Sequence, residues 1–182
     1  EKEHRDIQQK FHMANSRLNS LKNMTERYEG FGQSIRRVME QKEHNPGIIG
    51  VVADIIRVEK DYEIAIETAL GGSIQNIVTD NEQTAKAMIA LLKKNRYGRA
   101  TFLPLTNISG RGVNQAQNIL QEPGVVGFGS SLVHAEARFD RLVEYLLGRF
   151  VVVDHIDHAI ALAKKYKHSL RIVTKEGELL NP

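Results

Sequence analysis

Cysteine is absent from this sequence of 182 residues, which excludes a disulfide framework and every cysteine-based zinc site. No apolar run approaches the roughly 20 residues needed to span a bilayer, so no membrane partner is expected. The catalytic and nucleotide-binding patterns GxxxxGK[ST], GxGxxG, GxSxG and HExxH are also missing. These absences predict a chain that is not an enzyme and that holds no cofactor.

Composition leaves a nucleic-acid partner open. Hydrophobic residues make up 41% and charged residues 26% of the chain, as in an ordinary globular protein. The formal net charge is +3 and the pI is about 9.1. So small a positive excess matters for nucleic-acid binding only where lysine and arginine cluster.

The most informative feature is an internal repeat. Residues 47–71 return 77 positions later, without a gap, as residues 124–148. Most positions exchange like for like, and six are identical: Gly47/Gly124, Gly50/Gly127, Glu59/Glu136, Glu67/Glu144, Leu70/Leu147 and Gly71/Gly148. After a deletion of three residues in the second copy, Asp154 matches Asp80, and the strand at 171–174 is expected to match 99–102. The pattern predicts a duplicated structural unit, which suggests an assembly module.

Residues 1–44 are predicted to form a coiled-coil arm. Apolar or small side chains recur in alternating steps of four and three over about three heptads, at Ile7, Phe11, Ala14, Leu18, Leu21, Thr25 and Tyr28. Gly30 and Gly32 are expected to kink or break the helix before Ile35 and Val38 resume the pattern. Such a seam needs a partner helix.

Beyond the arm, the order β-α-β-α-β is predicted twice. Lobe I (45–103) is expected to place strands at 48–56, 74–79 and 99–103, and helices at 61–70 and 81–95. A connector at 104–123 leads to lobe II (124–182), with strands at 125–133, 150–153 and 171–174, and helices at 138–147 and 156–167. The predicted fold is therefore α/β, with two pseudo-symmetric lobes linked by crossover connections and preceded by a long helix.

Two basic clusters stand at corresponding places, each at the end of a lobe's second helix and the start of the next strand. They are Lys93, Lys94, Arg96 and Arg99 in lobe I, and Lys164, Lys165, Lys167 and Arg171 in lobe II. Cations at a helix C-terminus are favoured by the helix dipole alone, so a purely structural role is an equal alternative. The functional interpretation is sequence-independent contact with phosphates. Nearby Tyr97 and Tyr166 offer either base stacking or core packing.

Two further motifs favour structural interpretations. Gly71-Gly72-Ser73 follows a helix, so a helix cap and turn explain it better than a phosphate cradle does. Asp154-His155-Ile156-Asp157-His158 resembles a metal cluster, but the matching segment of lobe I, Asp80 to Thr84, carries no ligand set. Caps and exposed histidines are favoured there, and no metal site is predicted.

The repeat, the arm and several short stretches together resemble the hinge domain of SMC (structural maintenance of chromosomes) proteins, most closely that of bacterial SMC. The resemblance covers nearly the whole chain. Its matching stretches, in order, are 28–31 (YEGF), 47–50 (GIIG), 65–71 (AIETALG), 75–78 (QNIV), 98–105 (GRATFLPL), 171–174 (RIVT), and Glu176-Gly177 with Asn181-Pro182.

The resemblance implies a two-lobed α/β hinge that forms a ring-shaped homodimer and binds DNA weakly, often preferring single strands. It implies a dimer contact near Gly71, Gly72, Ser73, Gln75 and Asn76, and it makes the two basic clusters candidate DNA contacts. The ATP-binding heads would lie outside this chain. The parent protein would act in chromosome condensation and segregation, in the cytoplasm with the nucleoid.

In that family a glycine-rich segment and a returning coiled-coil helix follow the Asn-Pro position, whereas this sequence stops at Pro182. We therefore expect lobe II to be C-terminally truncated, and dimerisation of this chain to be weakened or rearranged. The returning helix of the parent chain is a further expected partner.

The alternative hypothesis is a small α/β ligand- or metal-binding enzyme domain with a coiled-coil oligomerisation arm. The histidines of the segment Asp154 to His158 and the Gly71-Gly72 turn are its best support. Metal-dependent stabilisation that is lost on replacing those histidines would favour it.

Overall fold

The structure is a computed structural model that describes residues 32–108 and 117–182. Most of the predicted arm, including its heptad seam and Gly30, and the middle of the connector lie outside the described residues. The coiled-coil arm therefore stays a prediction.

Lobe I is preceded by helix α1 (Gln33–Glu40). Its elements then follow in the order β1 (Ile48–Val51), α2 (Val52–Ile55), β2 (Arg57–Val58), α3 (Glu63–Leu70), β3 (Ile77–Thr79), α4 (Glu82–Asn95) and β4 (Phe102–Pro104). Short 3₁₀ turns occupy Lys60–Tyr62, Gly71–Gln75 and Leu105–Asn107.

Lobe II repeats this order. After a 3₁₀ turn at Gln117–Gln121 come β5 (Val125–Phe128), β6 (Val133–His134), α5 (Asp140–Leu147), β7 (Phe150–Val153), α6 (Ile156–Lys165), β8 (Arg171–Thr174) and β9 (Leu179–Leu180). Further 3₁₀ turns at Gly129–Ser131 and Ala137–Phe139 take the places of α2 and of the turn before α3. The predicted duplication is thus visible element by element, and the α/β class is confirmed.

Each lobe is built on a mixed sheet. The strand orders are β1-β3-β4 in lobe I and β5-β7-β8-β9 in lobe II, and β2 pairs with β6 in a ribbon between the lobes. The first strand of each lobe is antiparallel to the second, and only β3–β4 and β7–β8 are parallel. The expectation that every connection is a crossover was therefore wrong. A helix can join two parallel strands or two antiparallel strands, so the order of helices and strands along the chain does not determine strand direction.

The long first strands predicted at 48–56 and 125–133 end early in the structure. Both β1 and β5 carry a bulge between their first and third residues, and the third residues are Gly50 and Gly127, at matching positions. After β1 the chain turns into α2, and Val52 is fully buried. The apolar run is therefore buried from several sides and is not one continuous strand.

Two other predicted strands begin later than expected. Residues 71–75 form a 3₁₀ turn, so β3 starts at Ile77. The predicted strand at 99–103 starts at Phe102, after Gly98 with a φ of 102°. That backbone angle turns the chain away from the sheet, and pairing resumes where Phe102 lies opposite Ile77.

One hydrophobic core is shared by the two lobes. Ile66 and Leu70 of α3 belong to the same buried cluster as Leu142 and Leu147 of α5 and Val152 of β7. Burial of these large side chains is the main stabilising term. The two repeats consequently pack around one continuous core.

Helix α1 packs into lobe I. Ile35 and Val38 are 5% and 0% exposed and belong to a buried cluster with Ile77, Met88 and Leu92. The sequence placed Ile35 and Val38 in the arm helix, where they resume its apolar pattern after the glycines, and the structure places them in the core of lobe I. Among the described residues, no helix combines the length and the apolar character needed to cross a bilayer.

Candidate dimer and nucleic-acid interfaces

The first basic cluster lies at the C-terminal end of α4. The amide of Arg96 donates to the carbonyl of Lys93 (3.3 Å), and that of Tyr97 donates to the carbonyl of Leu92 (3.0 Å). These two bonds form a Schellman cap. Its left-handed position is usually glycine, because glycine has no Cβ to strain. Here that position is a cation, Arg96, with a φ of 54°.

The second basic cluster closes α6 in the same way. The amide of Lys167 donates to the carbonyl of Lys164 (3.2 Å), and that of His168 donates to the carbonyl of Ala163 (2.7 Å). Lys167 has a φ of 55°. The caps set the correspondence between the lobes: Lys93 with Lys164, Lys94 with Lys165, and Arg96 with Lys167. All six side chains are exposed.

The remaining two predicted DNA contacts, Arg99 and Arg171, do not occupy matching positions in the two lobes. Thr174 lies opposite Val153, whereas Pro104 lies opposite Thr79, so Thr174 matches Pro104. The expected match of 171–174 with 99–102 was therefore wrong by two residues. Arg171 begins a strand, while Arg99 lies in the loop before one. The three capping cations of each lobe form the repeated part of the cluster.

The two clusters differ in their surroundings. Lys165 Nζ donates to Glu122 Oε1 (2.5 Å), and the Glu122 side chain is only 15% exposed. This hydrogen bond raises the pKa of Lys165 above its ordinary value. In lobe I, the described residues contain no ion pair with Lys93, Lys94 or Arg96. The lobe I cluster therefore has the higher net positive charge.

The aromatic neighbours of the clusters are packed. Tyr97 lies against the core that includes α1, and the guanidinium carbon of Arg37 stands 4.9 Å from the centre of its ring. Tyr166 packs against the second core of lobe II, and its hydroxyl donates to Glu122 (3.4 Å). We therefore assign the two rings to the core. Arg37 is a cation beside the cluster that sequence reasoning missed because it falls in the predicted arm.

The predicted dimer contact is an exposed 3₁₀ turn. Gly71 and Gly72 are exposed, and Gly71 adopts φ 52° and ψ −131°, a conformation open essentially to glycine alone. A Cβ at Gly72 would meet nothing within 4 Å. Gln75 is exposed as well, while Ser73 and Asn76 are half-buried. A second backbone can approach this turn closely.

Strand β4 lies near this turn and offers an edge. In lobe II, β9 covers the outer edge of β8. In the part of the chain that the structure describes, β4 pairs only with β3, so its outer edge has no strand partner. Leu103 and Pro104 of β4, with Ser73 of the turn, line a cleft whose other side is formed by Tyr145 and Arg149.

The third repeated feature is the turn between β3 and α4 in lobe I and between β7 and α6 in lobe II, which packs against the glycine just before the first strand of its lobe. In lobe I, Asp80 Oδ1 accepts hydrogen bonds from the Thr84 hydroxyl (2.8 Å) and from the amide of Asn81 (2.7 Å). A Cβ at Gly47 would collide with Asp80 and Thr84. The glycine at this position is therefore needed for space.

In lobe II the same carboxylate position, Asp154, accepts from the amide of His155 (2.7 Å), and its Oδ1 lies 2.7 Å from His158 Nδ1. The hydrogen bond with His158 is the main reason that the pKa of Asp154 lies below its ordinary value. A Cβ at Gly124 would collide with both partners. The motif Asp154 to His158 thus forms the same turn as Asp80 to Thr84 with different side chains, and the N-cap of α6 is His155 and not the aspartate favoured from the sequence.

The fold combines two duplicated lobes, an exposed glycine turn at Gly71–Gln75 and basic caps at the ends of α4 and α6. This combination is consistent with a hinge module. The model of the SMC proteins Flexible Hinge Domain family matches residues 45–163. The chain belongs to this family. The family describes a hinge, so the alternative of a small enzyme domain is not favoured.

Relatives of this chain are chromosome partition proteins named Smc. The chain is 41% identical over 167 residues to the chromosome partition protein Smc of Lactiplantibacillus plantarum, with 91% of the chain covered. It is 39% identical over 171 residues to that of Bacillus subtilis, with 93% covered. The chain spans 14% of the length of each relative.

The solved structures that resemble this chain include SMC hinge domains. A crystal structure of an asymmetric dimer of the Geobacillus stearothermophilus SMC hinge domain matches with a TM-score of 0.84 and 39% identity, over 92% of this chain and 68% of that one. The Pyrococcus furiosus SMC hinge domain matches with a TM-score of 0.68 and 30% identity, over 86% and 80%.

Proposed function

We propose that this chain is the dimerisation and DNA-contact module of a chromosome-organising ATPase and has no catalytic activity of its own. Family membership supports the hinge role. The ATP-binding heads, the returning coiled-coil helix and the work of chromosome condensation and segregation belong to the longer parent protein, which acts with the nucleoid in the cytoplasm.

Dimerisation proceeds through the turn at Gly71–Gln75 and the outer edge of β4. The observation that supports this proposal is the combination of exposed glycine backbone with an edge strand that has no partner among the described residues. Unpaired strand edges bind other strands readily, and glycine permits close backbone approach. The similar Geobacillus stearothermophilus hinge domain was crystallised as an asymmetric dimer.

Gly72→Glu tests the dimer. Its backbone is not in the left-handed region and a Cβ there has open space, so the variant is expected to fold normally. A buried carboxylate opposite a second chain is strongly unfavourable, so dimerisation should weaken. Ala87→Glu, on the exposed face of α4, is the matched control with the same charge change.

Sedimentation equilibrium is the measurement, on this chain and on the same chain extended past Pro182. The extended chain is expected to dimerise, and Gly72→Glu but not Ala87→Glu should shift it towards monomer. A strict monomer at high micromolar concentration in the extended chain contradicts the proposal. Equal dimerisation of Gly72→Glu and Ala87→Glu would show that the turn at Gly71–Gln75 is not the dimer contact.

DNA binding occurs at the helix-capping cations of α4 and α6, through phosphates and without sequence readout. The observation that supports this is the pair of cations, Arg96 and Lys167, held in the left-handed cap position. A residue with a Cβ costs about 1–2 kcal/mol there. Strained residues that persist in both copies are candidates for function.

Replacing those two cations by glycine separates binding from folding. Arg96→Gly and Lys167→Gly relieve backbone strain, so the melting temperature should stay the same or rise by about 2–4 °C. Each should weaken DNA binding and lower the slope of log K against log salt by about 1. Lys60→Gln, a charge change on an exposed turn, is the control and should alter neither quantity appreciably.

Fluorescence anisotropy against labelled DNA at several salt concentrations measures this. Unchanged affinity and slope in the Arg96→Gly/Lys167→Gly double variant would contradict the DNA assignment and leave the dimer proposal intact.

Strand preference has a separate test. Because Tyr97 and Tyr166 are packed against the core, the clusters contact phosphates and do not stack on bases. If this chain prefers single strands, the preference then arises because a flexible strand brings its phosphates to the cations more easily than a duplex does. Oligo(dT) and an abasic strand of equal length should bind alike, and a large loss of binding on removal of the bases would show that bases are contacted.

A further inference from the structure

Three potential metal ligands meet at the start of α6. One ligand atom from each of Asp154, His155 and His158 lies within 4.8 Å of the others. Asp154 Oδ1 is 2.7 Å from His158 Nδ1, and Asp154 Oδ2 is 3.8 Å from His155 Nε2. The two imidazole rings stack, with centroids 4.2 Å apart and planes inclined by 27°.

The repeat shows that the fold does not need these histidines. Lobe I builds the same turn with Asn81 and Thr84 at the positions of His155 and His158. There the Thr84 hydroxyl makes the bond that His158 makes to its aspartate. Histidine at position 158 is therefore one choice among residues that satisfy the turn.

Histidine at position 155 also leaves α6 without a side-chain N-cap hydrogen bond. In lobe I the Asn81 side chain accepts from the amide of Thr84 (3.0 Å), whereas His155 makes no side-chain bond to the start of α6. Asparagine is among the best N-cap residues, and losing such a cap costs about 1 kcal/mol. Lobe II gives up that bond and gains a second imidazole beside Asp154.

We propose that Asp154, His155 and His158 form a binding site for a divalent transition-metal ion of the Zn²⁺ class. Two imidazole nitrogens and one carboxylate oxygen suit zinc, and disfavour Mg²⁺ and Ca²⁺, which take oxygen ligands. Solvent water completes the coordination. The proposal concerns a site on lobe II and is independent of the proposed DNA and dimer contacts.

The geometry requires only small movements. Ligand atoms around a tetrahedral zinc ion stand about 3.3 Å apart, so atoms within 4.8 Å need to approach by at most about 1.5 Å, and the pair Asp154 Oδ1 and His158 Nδ1, at 2.7 Å, needs to separate by about 0.6 Å. The side chains are 40% (Asp154), 49% (His155) and 36% (His158) exposed, so rotation about their own bonds can supply this movement.

Isothermal titration with ZnCl₂ tests the site, in a buffer without chelator. The whole chain should bind one equivalent that MgCl₂ does not replace. The double variant His155→Asn/His158→Thr gives lobe II the residues of lobe I, so it is expected to fold, and should lose at least about tenfold in zinc affinity. It keeps the other five histidines, His4, His12, His44, His134 and His168, whose zinc binding is the background of the measurement.

The reverse exchange keeps the test decisive if that variant fails to fold. Asn81→His/Thr84→His places the lobe II residues in lobe I, and should raise the stoichiometry from one zinc ion to two. Zinc binding that is unchanged by the first exchange, or absent from the wild-type chain, overturns the proposal. An unchanged stoichiometry after the second exchange overturns it as well.

Discussion

Lobe I and lobe II share one backbone plan but differ in chemistry at three matching places. The cap of α4 leaves its cations without an ion pair among the described residues, whereas the cap of α6 holds Lys165 against Glu122. The turn at Asp80 is closed by a hydroxyl, and the turn at Asp154 by an imidazole. The last strand of lobe I keeps an open edge, and β9 covers that of lobe II.

The comparison teaches where duplication constrains the sequence. Glycines are retained beside the aspartates, where a Cβ would collide with the turn. Polar side chains at the same turns differ, because several donors can satisfy one acceptor. The functional differences between the lobes therefore lie in hydrogen-bond partners and sheet edges, within a common framework.

The largest expected effect comes from the core that the lobes share. Leu70→Ala and Leu147→Ala truncate matching side chains that are 8% and 0% exposed in one cluster. Each should cost about 2–5 kcal/mol in the free energy of unfolding, measured by urea denaturation. Both variants should unfold in one transition with a similar m-value. Two separate transitions would show that the lobes fold independently.

A smaller effect distinguishes the two glycines that face the aspartates. Gly124→Ala meets Asp154 and His158 and also places a Cβ on a residue with a φ of 80°, whereas Gly47→Ala meets Asp80 and Thr84 without that backbone angle. Crowding costs about 1–3 kcal/mol in both, and the left-handed angle adds about 1–2 kcal/mol to Gly124→Ala only. Equal destabilisation in urea would contradict this difference.

The sequence indicated much of this framework because the repeat is local and ungapped. Strands at 150–153 and 171–174 and the second helix of each lobe follow from short-range patterns, and the basic clusters fall at helix ends as expected. The aspartate of each turn was also matched correctly. The family resemblance pointed to the hinge that the comparisons confirm.

What the sequence could not give depends on contacts between distant residues. Local periodicity in the sequence does not indicate the direction of β1 and β5 or the shared core. It also does not indicate the pairing of Lys165 with Glu122, which is 43 residues away. The two-residue error at Arg171 arose because Arg171 was matched to Arg99 by residue type, whereas α6 has 10 residues and α4 has 14, so the same residue type does not mark the same position. Ile35 and Val38 fit a heptad and a globular core equally well, and only the structure shows which one they enter.

An intermediate prediction exchanges the residues that begin α4 and α6. His155→Asn should stabilise the zinc-free chain by about 0.5–1 kcal/mol, since asparagine restores a cap, and Asn81→His should destabilise it by a similar amount. Thermal unfolding in the presence of a chelator measures both. Opposite signs are the expected result, and a loss of stability in both variants would mean that each histidine or asparagine is fitted to its own lobe.

The smallest expected effect compares the matching lysines of the two caps. Lys94→Gln should lower the salt slope of DNA binding by about 1, while Lys165→Gln should change it little, because Glu122 already neutralises that cation. Glu122→Gln should free Lys165 and strengthen DNA binding, and Glu136→Gln, at an exposed carboxylate paired with Arg138, is the control. Anisotropy titrations over a range of salt concentrations decide the matter. If Lys94 and Lys165 contribute equally, the ion pair with Glu122 opens when DNA binds, and the two lobes are equivalent DNA contacts.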